Sequence, residues 1–255
     1  MMHFSATKAL SFVLLISTTC TVHGQLINEY QPNPPGGDPS NVQVELKGTP
    51  GQSFTGCFIS IECDLLTFAG NVDRIAEVSG TFDSNGLLVD TIPDLENPSH
   101  IAVLLDASCA SLVASTSLST GSPASSFSLP ALDAIGVPDS AGDVSNCIPS
   151  NHISGFSGGN HFAYTGDEPR LVFRDGNTND WYAINDPDRG VVYDINGASH
   201  DPSEFDTDPT AGTDTFGQKN PSTTTSAPTD VSAGGNGDPH FKVSCGFFDY
   251  LLLSG

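Results

Sequence analysis

The chain is short of positive charge. Its 255 residues carry 8 Lys and Arg against 30 Asp and Glu, a formal net charge of −22 at pH 7. A surface of that sign repels nucleic-acid phosphates and anionic lipid headgroups, which argues against nucleic acid as a partner. Charged residues make up only 15% of the chain and form no compact carboxylate block. The negative charge therefore reads first as the solubility device of an extracellular protein, and second as an attractor for Ca²⁺ or basic partners. Long apolar runs are also missing near the N-terminus: Ala9–Ile16 is far below the roughly 18 residues a membrane span needs. No CxxC pair or Cys/His spacing of a zinc site occurs, and those spacings are what a structural zinc requires. Asn97 and Asn220, the asparagines with Ser two residues on, are each followed by Pro, so no N-glycosylation acceptor exists.

Turn formers, by contrast, are plentiful. The 26 Gly and 18 Pro imply many turns and few long helices, and favour a sandwich over a helical bundle. Residues 1–24 have the parts of a secretory signal peptide: Lys8, the apolar Ala9–Ile16, and Val22 and Gly24 ahead of a cleavage site before Gln25. A secreted or cell-surface protein with no membrane span after signal removal is expected. Secretion makes disulfides plausible for Cys57, Cys63, Cys109 and Cys147, which can pair in three ways. The first expectation is a local Cys57–Cys63 link with Cys109–Cys147. Six residues of straight strand would hold Cys57 and Cys63 about 20 Å apart, so this pairing needs a bend. Without the bend, each pairs with a cysteine farther along.

Extended runs dominate the order of the chain. Leu26–Tyr30 and Val42–Lys47 flank a Pro/Gly turn, and Val42, Val44 and Leu46 alternate with polar neighbours at the period of a half-buried strand. Phe54–Leu66 and Val72–Phe82 follow. Asp83–Gly86 reads as a hairpin turn returning through Leu87–Ile92, a meander. His100–Asp106 is continuously apolar, as suits a central strand buried on both faces. Residues 108–159 are rich in Ser, Ala, Gly and Pro, and read as a long surface loop with a short helix over Ala131–Ile135. His161–Tyr164, Arg170–Arg174, Trp181–Ile184 and Val191–Tyr193 are closing strands. Residues 206–236 read as a flexible, disordered linker.

Ile27-Asn-Glu29, the Pro/Gly/Asp turn, and Val44-Glu-Leu46 with Gly48 resemble the start of the lamin-tail-like domain of secreted proteins. That resemblance, placed over residues 25–205, implies an all-β, immunoglobulin-like β-sandwich and an accessory, adhesive or interaction role without a reaction of its own. Gly237-Asp-Pro-His-Phe-Lys242 is similar to the opening of a von Willebrand factor type D domain, and residues 237–255 are read as a truncated start of one. In that family the Asp-Pro bond of the motif can break autocatalytically, which by analogy makes Asp238–Pro239 a labile bond.

Three further patterns carry chemistry. Gly155-Phe-Ser-Gly-Gly159 matches the GxSxG of serine hydrolases, with Ser157 as nucleophile and His152 and His161 nearby, but it lacks the strand before and the helix after that a nucleophile elbow needs. Asp175, Asn177, Asn179 and Asp186 imitate positions of a Ca²⁺ loop, with Asp180 where that loop has its Gly; the same residues also suit a plain turn. Trp181, Tyr182 and Tyr193 offer an aromatic face for a sugar, or simply core. The sequence thus reads as a secreted, non-enzymatic adhesion or interaction protein, with an extracellular protein or polysaccharide as partner. It needs no cofactor beyond Ca²⁺ at that loop. A Ca²⁺-dependent or carbohydrate-binding module and a Ser157 hydrolase are its rivals.

Overall fold

The alternation at Val42, Val44 and Leu46 is the inner face of a strand in a two-sheet sandwich. In the computed structural model, residues 24–34, 39–64, 69–95, 99–112, 131–153, 156–185, 191–211 and 214–224 are described. The strands are β1 (Leu26–Tyr30), β2 (Asn41–Lys47), β3 (Ser53–Glu62), β4 (Val72–Thr81), β5 (Leu87–Pro93), β6 (His100–Leu105), β7 (Ala131–Val137), β8 (Asn160–His161), β9 (Pro169–Arg174), β10 (Trp181–Asn185), β11 (Val192–Asp194) and β12 (Ser199–His200). Seven form one sheet in the order β12-β11-β10-β9-β1-β2-β5, and five form the other in the order β4-β3-β6-β7-β8. All pairings are antiparallel except β7 with β8. Among the described residues the helical turns are three short 3-10 segments, and no helix is long and apolar enough to cross a membrane.

The expected all-β sandwich is therefore present, and β6 is the fully buried central strand its apolar run predicts. Two expectations within it are corrected. Ala131–Ile135 is not a helix but the first part of β7, held against β6. Gly136 on that strand is where Cys147 crosses it: a Cβ there would collide with the Cys147 carbonyl oxygen, a close approach only glycine permits. Nor does Asp83–Gly86 close a meander. It carries the chain from β4 in one sheet to β5 in the other, where β5 pairs with β2.

Apolar side chains form three layers rather than one. Ile27, Tyr30, Val44, Leu46, Phe58, Leu104, Val172 and Trp181 fill the space between the sheets. Cys57, Ile59, Ile61, Ile101, Val103 and Leu105 form a second cluster on the far side of the five-stranded sheet. Leu171, Phe173, Tyr182, Ile184 and Val192 form a third on the far side of the seven-stranded sheet, with Phe205 packed onto it. Consecutive residues of a strand point to opposite faces, so a strand buried on both reads as a continuous apolar run.

Two disulfides hold the cover over the second cluster: Cys57–Cys109 and Cys63–Cys147, spanning 52 and 84 residues. The first-choice local pairing is thus replaced by the long-range one. β3 runs extended through Ser53–Glu62 and provides no bend to close Cys57 on Cys63. Peptide mapping of the unreduced protein is expected to recover Cys57 linked to Cys109 and Cys63 linked to Cys147; a Cys57–Cys63 peptide would contradict the topology.

The third cluster is covered by a strap. Residues 206–224, placed in a linker on composition, are instead tied to the sheet. The Asn220 side-chain amide donates to the backbone carbonyls of Asn28 (3.1 Å) and Arg174 (2.9 Å). Phe205 lies 5.1 Å from the Tyr182 ring centroid and 6.2 Å from that of Phe173. The strap belongs to the compact unit that ends at Thr224. Asn220→Ala leaves two buried carbonyls without a donor, so a loss of about 1–3 kcal/mol is expected; a thermal melt within error of wild type would contradict the clasp. The signal segment, the 35–38 turn, the remainder of the linker from 225 and the Asp238–Pro239 bond lie outside the described residues.

Candidate functional site

Most of the buried ionisable groups are fastened to the fold itself. Between the sheets, Arg174 at the end of β9 donates through Nη2 to both Asp133 oxygens (3.0 and 2.8 Å) on β7. Its Nε donates to the Ile27 carbonyl at 2.9 Å and its Nη1 to the Asn179 carbonyl at 2.8 Å. The guanidinium also lies 4.1 Å over the Trp181 ring. Asp133 Oδ2 in turn accepts from the Ile27 N–H at 2.9 Å. At the other end of β9, Tyr30 Oη and His100 Nε2 are 3.2 Å apart, and His100 Nδ1 is 3.8 Å from Glu168 Oε1. The set looks like a proton relay, but all three residues are no more than 2% exposed. Burial, with the charges of Asp139, Asp167 and Asp94, pushes Glu168 up to about 9. A neutral acid sealed in a core is a packing element, not a relay to substrate.

Under the strap, Glu29 and Glu45 stand opposite each other on β1 and β2. Glu29 accepts from the Thr215 N–H (3.0 Å) and hydroxyl (2.7 Å). Glu45 accepts from the Asn28 amide and the Gly217 N–H, both at 2.6 Å. Burial raises Glu29 to about 8 and Glu45 to about 7. The Ile27-Asn-Glu29 and Val44-Glu-Leu46 patterns of the sequence are therefore the sockets of the strap.

The residues singled out for chemistry are not brought together. Ser157 is exposed in a loop, and no hydrogen bond joins it to His152 or His161 among the described residues. His152 is buried, its Nε2 2.6 Å from the Asn146 carbonyl. Gly155 lies outside the described residues, as does Asp186 of the Ca²⁺ pattern. Asp175 is already saturated. Its Oδ1 accepts from the Asn177 and Thr178 N–H groups (2.7 and 2.8 Å), and its Oδ2 from the Thr223 N–H and hydroxyl (2.6 and 2.9 Å). Burial works to raise its pKa, and those hydrogen bonds outweigh it and hold the carboxyl below its ordinary value. Asn179 Oδ1 accepts from Lys47 Nζ at 2.8 Å. The loop is an Asx turn, repeated at Asp83, whose Oδ1 takes the Asn85 and Leu87 N–H groups, and at Asp194, which takes those of Asn196 and Ala198. Among the described residues no group of three or more His, Cys, Asp or Glu could hold a metal ion.

The aromatic face is corrected as well. Trp181 and Tyr182 are consecutive in β10 and so point to opposite sides, Trp181 into the core between the sheets and Tyr182 under Phe205. They do not make one flat platform. Their neighbourhood nevertheless opens to solvent as a cleft of about 350 Å³ at the end of the sandwich. The β9–β10 turn supplies Asn179 and Asp180, the β11–β12 turn Asp194 and Asn196, and β8 Asn160. Trp181, Tyr182 and Ile195 are its apolar wall. Asn179 holds φ +64°, the only described residue other than glycine at positive φ, a conformation tolerated best by Asn among side-chain-bearing residues. In sequence these positions are ordinary Asx turns. The signal available was that two such turns, Asp175–Asp180 and Asp194–Gly197, flank strand runs so as to fall on the same edge of one sheet. Comparison of the chain with protein-family models, with curated proteins and with solved structures finds no match, so the functional reading stands on the residues and their arrangement alone.

Proposed function

We propose that the protein is a secreted, non-enzymatic interaction module of the cell surface or extracellular matrix, as the resemblance to lamin-tail-like domains implies, with a von Willebrand type D-like segment at its C-terminus. The observation that carries this reading is where the ionisable chemistry sits. Asp133 and Arg174, Tyr30, His100 and Glu168, and Glu29 and Glu45 are all buried and bonded to the fold. A catalytic site needs such groups converging on a cleft open to substrate. The two long-range disulfides support an oxidising, extracellular setting.

Two measurements test the reading. Expression of the full chain in a secretory host should deliver it to the medium beginning at Gln25, and the folded protein should not be labelled by a fluorophosphonate probe. Labelling at Ser157 would replace the module by a hydrolase. Saturable adhesion of the labelled protein to an extracellular-matrix preparation is the positive outcome.

A further inference from the structure

We propose that the cleft at the end of the sandwich is a binding site for a neutral saccharide of one to two rings; this rests on the non-catalytic interaction reading and names its ligand class. Three of the polar side chains that meet there are without hydrogen-bond partners among the described residues. No hydrogen bond engages the side-chain amides of Asn160 and Asn196 or the carboxylate of Asp180. Asn179 gives its Oδ1 to Lys47, which leaves its Nδ2 aimed away from that bond. The indole Nε1 of Trp181 is buried with no hydrogen-bond partner, although Trp181 itself is only 2% exposed. Buried donors are rarely left orphaned, and this one belongs to a residue of the cleft wall.

The mixture decides the class. Amides offer a donor and an acceptor side by side and a carboxylate offers two acceptors, a set that matches adjacent hydroxyls, each at once donor and acceptor. The side chain of Ile195 on the cleft wall supplies apolar contact for the C–H face of a ring. Anions are disfavoured. Asp180 and Asp194 stand at the rim of a chain with net charge −22, while the nearby cations, Lys47 and Arg174, are held by Asn179 and Asp133. No cluster of three or more His, Cys, Asp or Glu that could hold a metal ion occurs among the described residues. The volume of about 350 Å³ lies at the small end of ligand sites, about 300–1,000 Å³.

Trp181 is the only tryptophan of the chain, so its fluorescence reports the cleft alone. The full-length secreted protein is titrated with cellobiose, chitobiose and mannobiose, and with a sulfated heparin disaccharide as the anionic probe. At least one neutral disaccharide should shift the emission saturably, and the heparin disaccharide should leave it unchanged. Asn179→Gly keeps the positive φ without strain and removes the amide; Asn160→Ala alters an exposed position with no internal bond to lose. Each should weaken the binding about tenfold, the equivalent of one good hydrogen bond; Asn179→Gly also gives up the Lys47 bond, whereas Asn160→Ala should leave the melting temperature unchanged. No response to any neutral disaccharide, or binding by both variants equal to that of wild type, overturns the inference and leaves the non-catalytic reading standing. Cleavage of a disaccharide to monosaccharides, lost in the variants, would uphold the cleft and overturn the non-catalytic reading instead.

Discussion

Asp133→Ala is expected to destabilise the folded protein by about 3–5 kcal/mol, the cost of removing one partner of a buried ion pair. In a domain of this size that lowers the melting temperature by roughly 10 °C. The cost arises on three sides. Arg174 keeps its charge between the sheets with no carboxylate opposite it, only the Ile27 and Asn179 carbonyls. The Ile27 N–H loses its acceptor, and the start of β1 loses the link that joins it to β7 across the sandwich. Asp133→Asn keeps an acceptor for Ile27 and a single bond to the guanidinium, so it should cost clearly less. The double variant Asp133→Leu/Arg174→Met removes both charges together and should be less harmful than the sum of the single variants, giving a favourable coupling energy in the cycle. Urea unfolding of the set decides it. An Asp133→Ala protein within about 0.5 kcal/mol of wild type would mean that the pair is incidental to the fold.

The same pair explains part of what the sequence concealed. Strands β2, β6, β9 and β10 were legible because burial on one or both faces writes itself as alternation or as a continuous apolar run. β7 was not. Ala131-Leu-Asp-Ala-Ile135 is built from good helix formers interrupted by an Asp, and the reason for the Asp is an arginine 41 residues away. Gly136 has an equally distant cause in the crossing of Cys147. The passage from β4 to β5 looked like a hairpin because a four-residue Asx turn serves both a hairpin and a step between sheets; only the pairing of β5 with β2 separates them.

The strap was hidden for another reason. Its segment is polar, so no periodicity marks it, and it is held chiefly by hydrogen bonds from Thr215, Gly217 and Asn220 to groups on β1, β2 and β9. Charged residues placed in a strand, such as Glu29 and Glu45, are the trace such a clasp leaves in sequence. The cleft was half legible: each of its turns could be read, whereas their convergence on Trp181 depends on the order of strands β9 to β12, which local pattern does not determine.

Stability should be greatest in mildly acidic solution and fall as the pH rises above it. Burial raises Glu29 to about 8, Glu45 to about 7 and Glu168 to about 9, from an ordinary 4.5. Between pH 4.5 and those values the folded state binds more protons than the unfolded state, so the slope of unfolding free energy against pH is negative. The stabilisation is complete below pH 4.5 and is lost as the pH climbs toward the value at which each group ionises in the folded protein, several kcal/mol in all. Repulsion within a chain of net charge −22 acts in the same direction. Groups held below their ordinary values set the acid limit: Asp83 by hydrogen bonds from Leu87 and Asn85, Glu204 by those from His200 and Asp201, and Asp175 as described. These keep their contribution above the ordinary carboxylate range and lose it as the pH falls below that range through their lowered values. The urea midpoint is therefore expected to be higher at pH 5 than at pH 8.5. Glu29→Gln and Glu45→Gln, which keep an acceptor for Thr215 and Gly217 but cannot ionise, should flatten the alkaline limb with little effect at pH 5. Glu29 and Glu45 face each other and are joined to one strap, so the double variant should flatten the curve by less than the sum of the singles, because ionising either already raises the cost of ionising the other. A midpoint that rises between pH 5 and pH 8.5 would show that both carboxylates are charged under the strap and stabilised by its donors, the reverse of the balance in which burial wins.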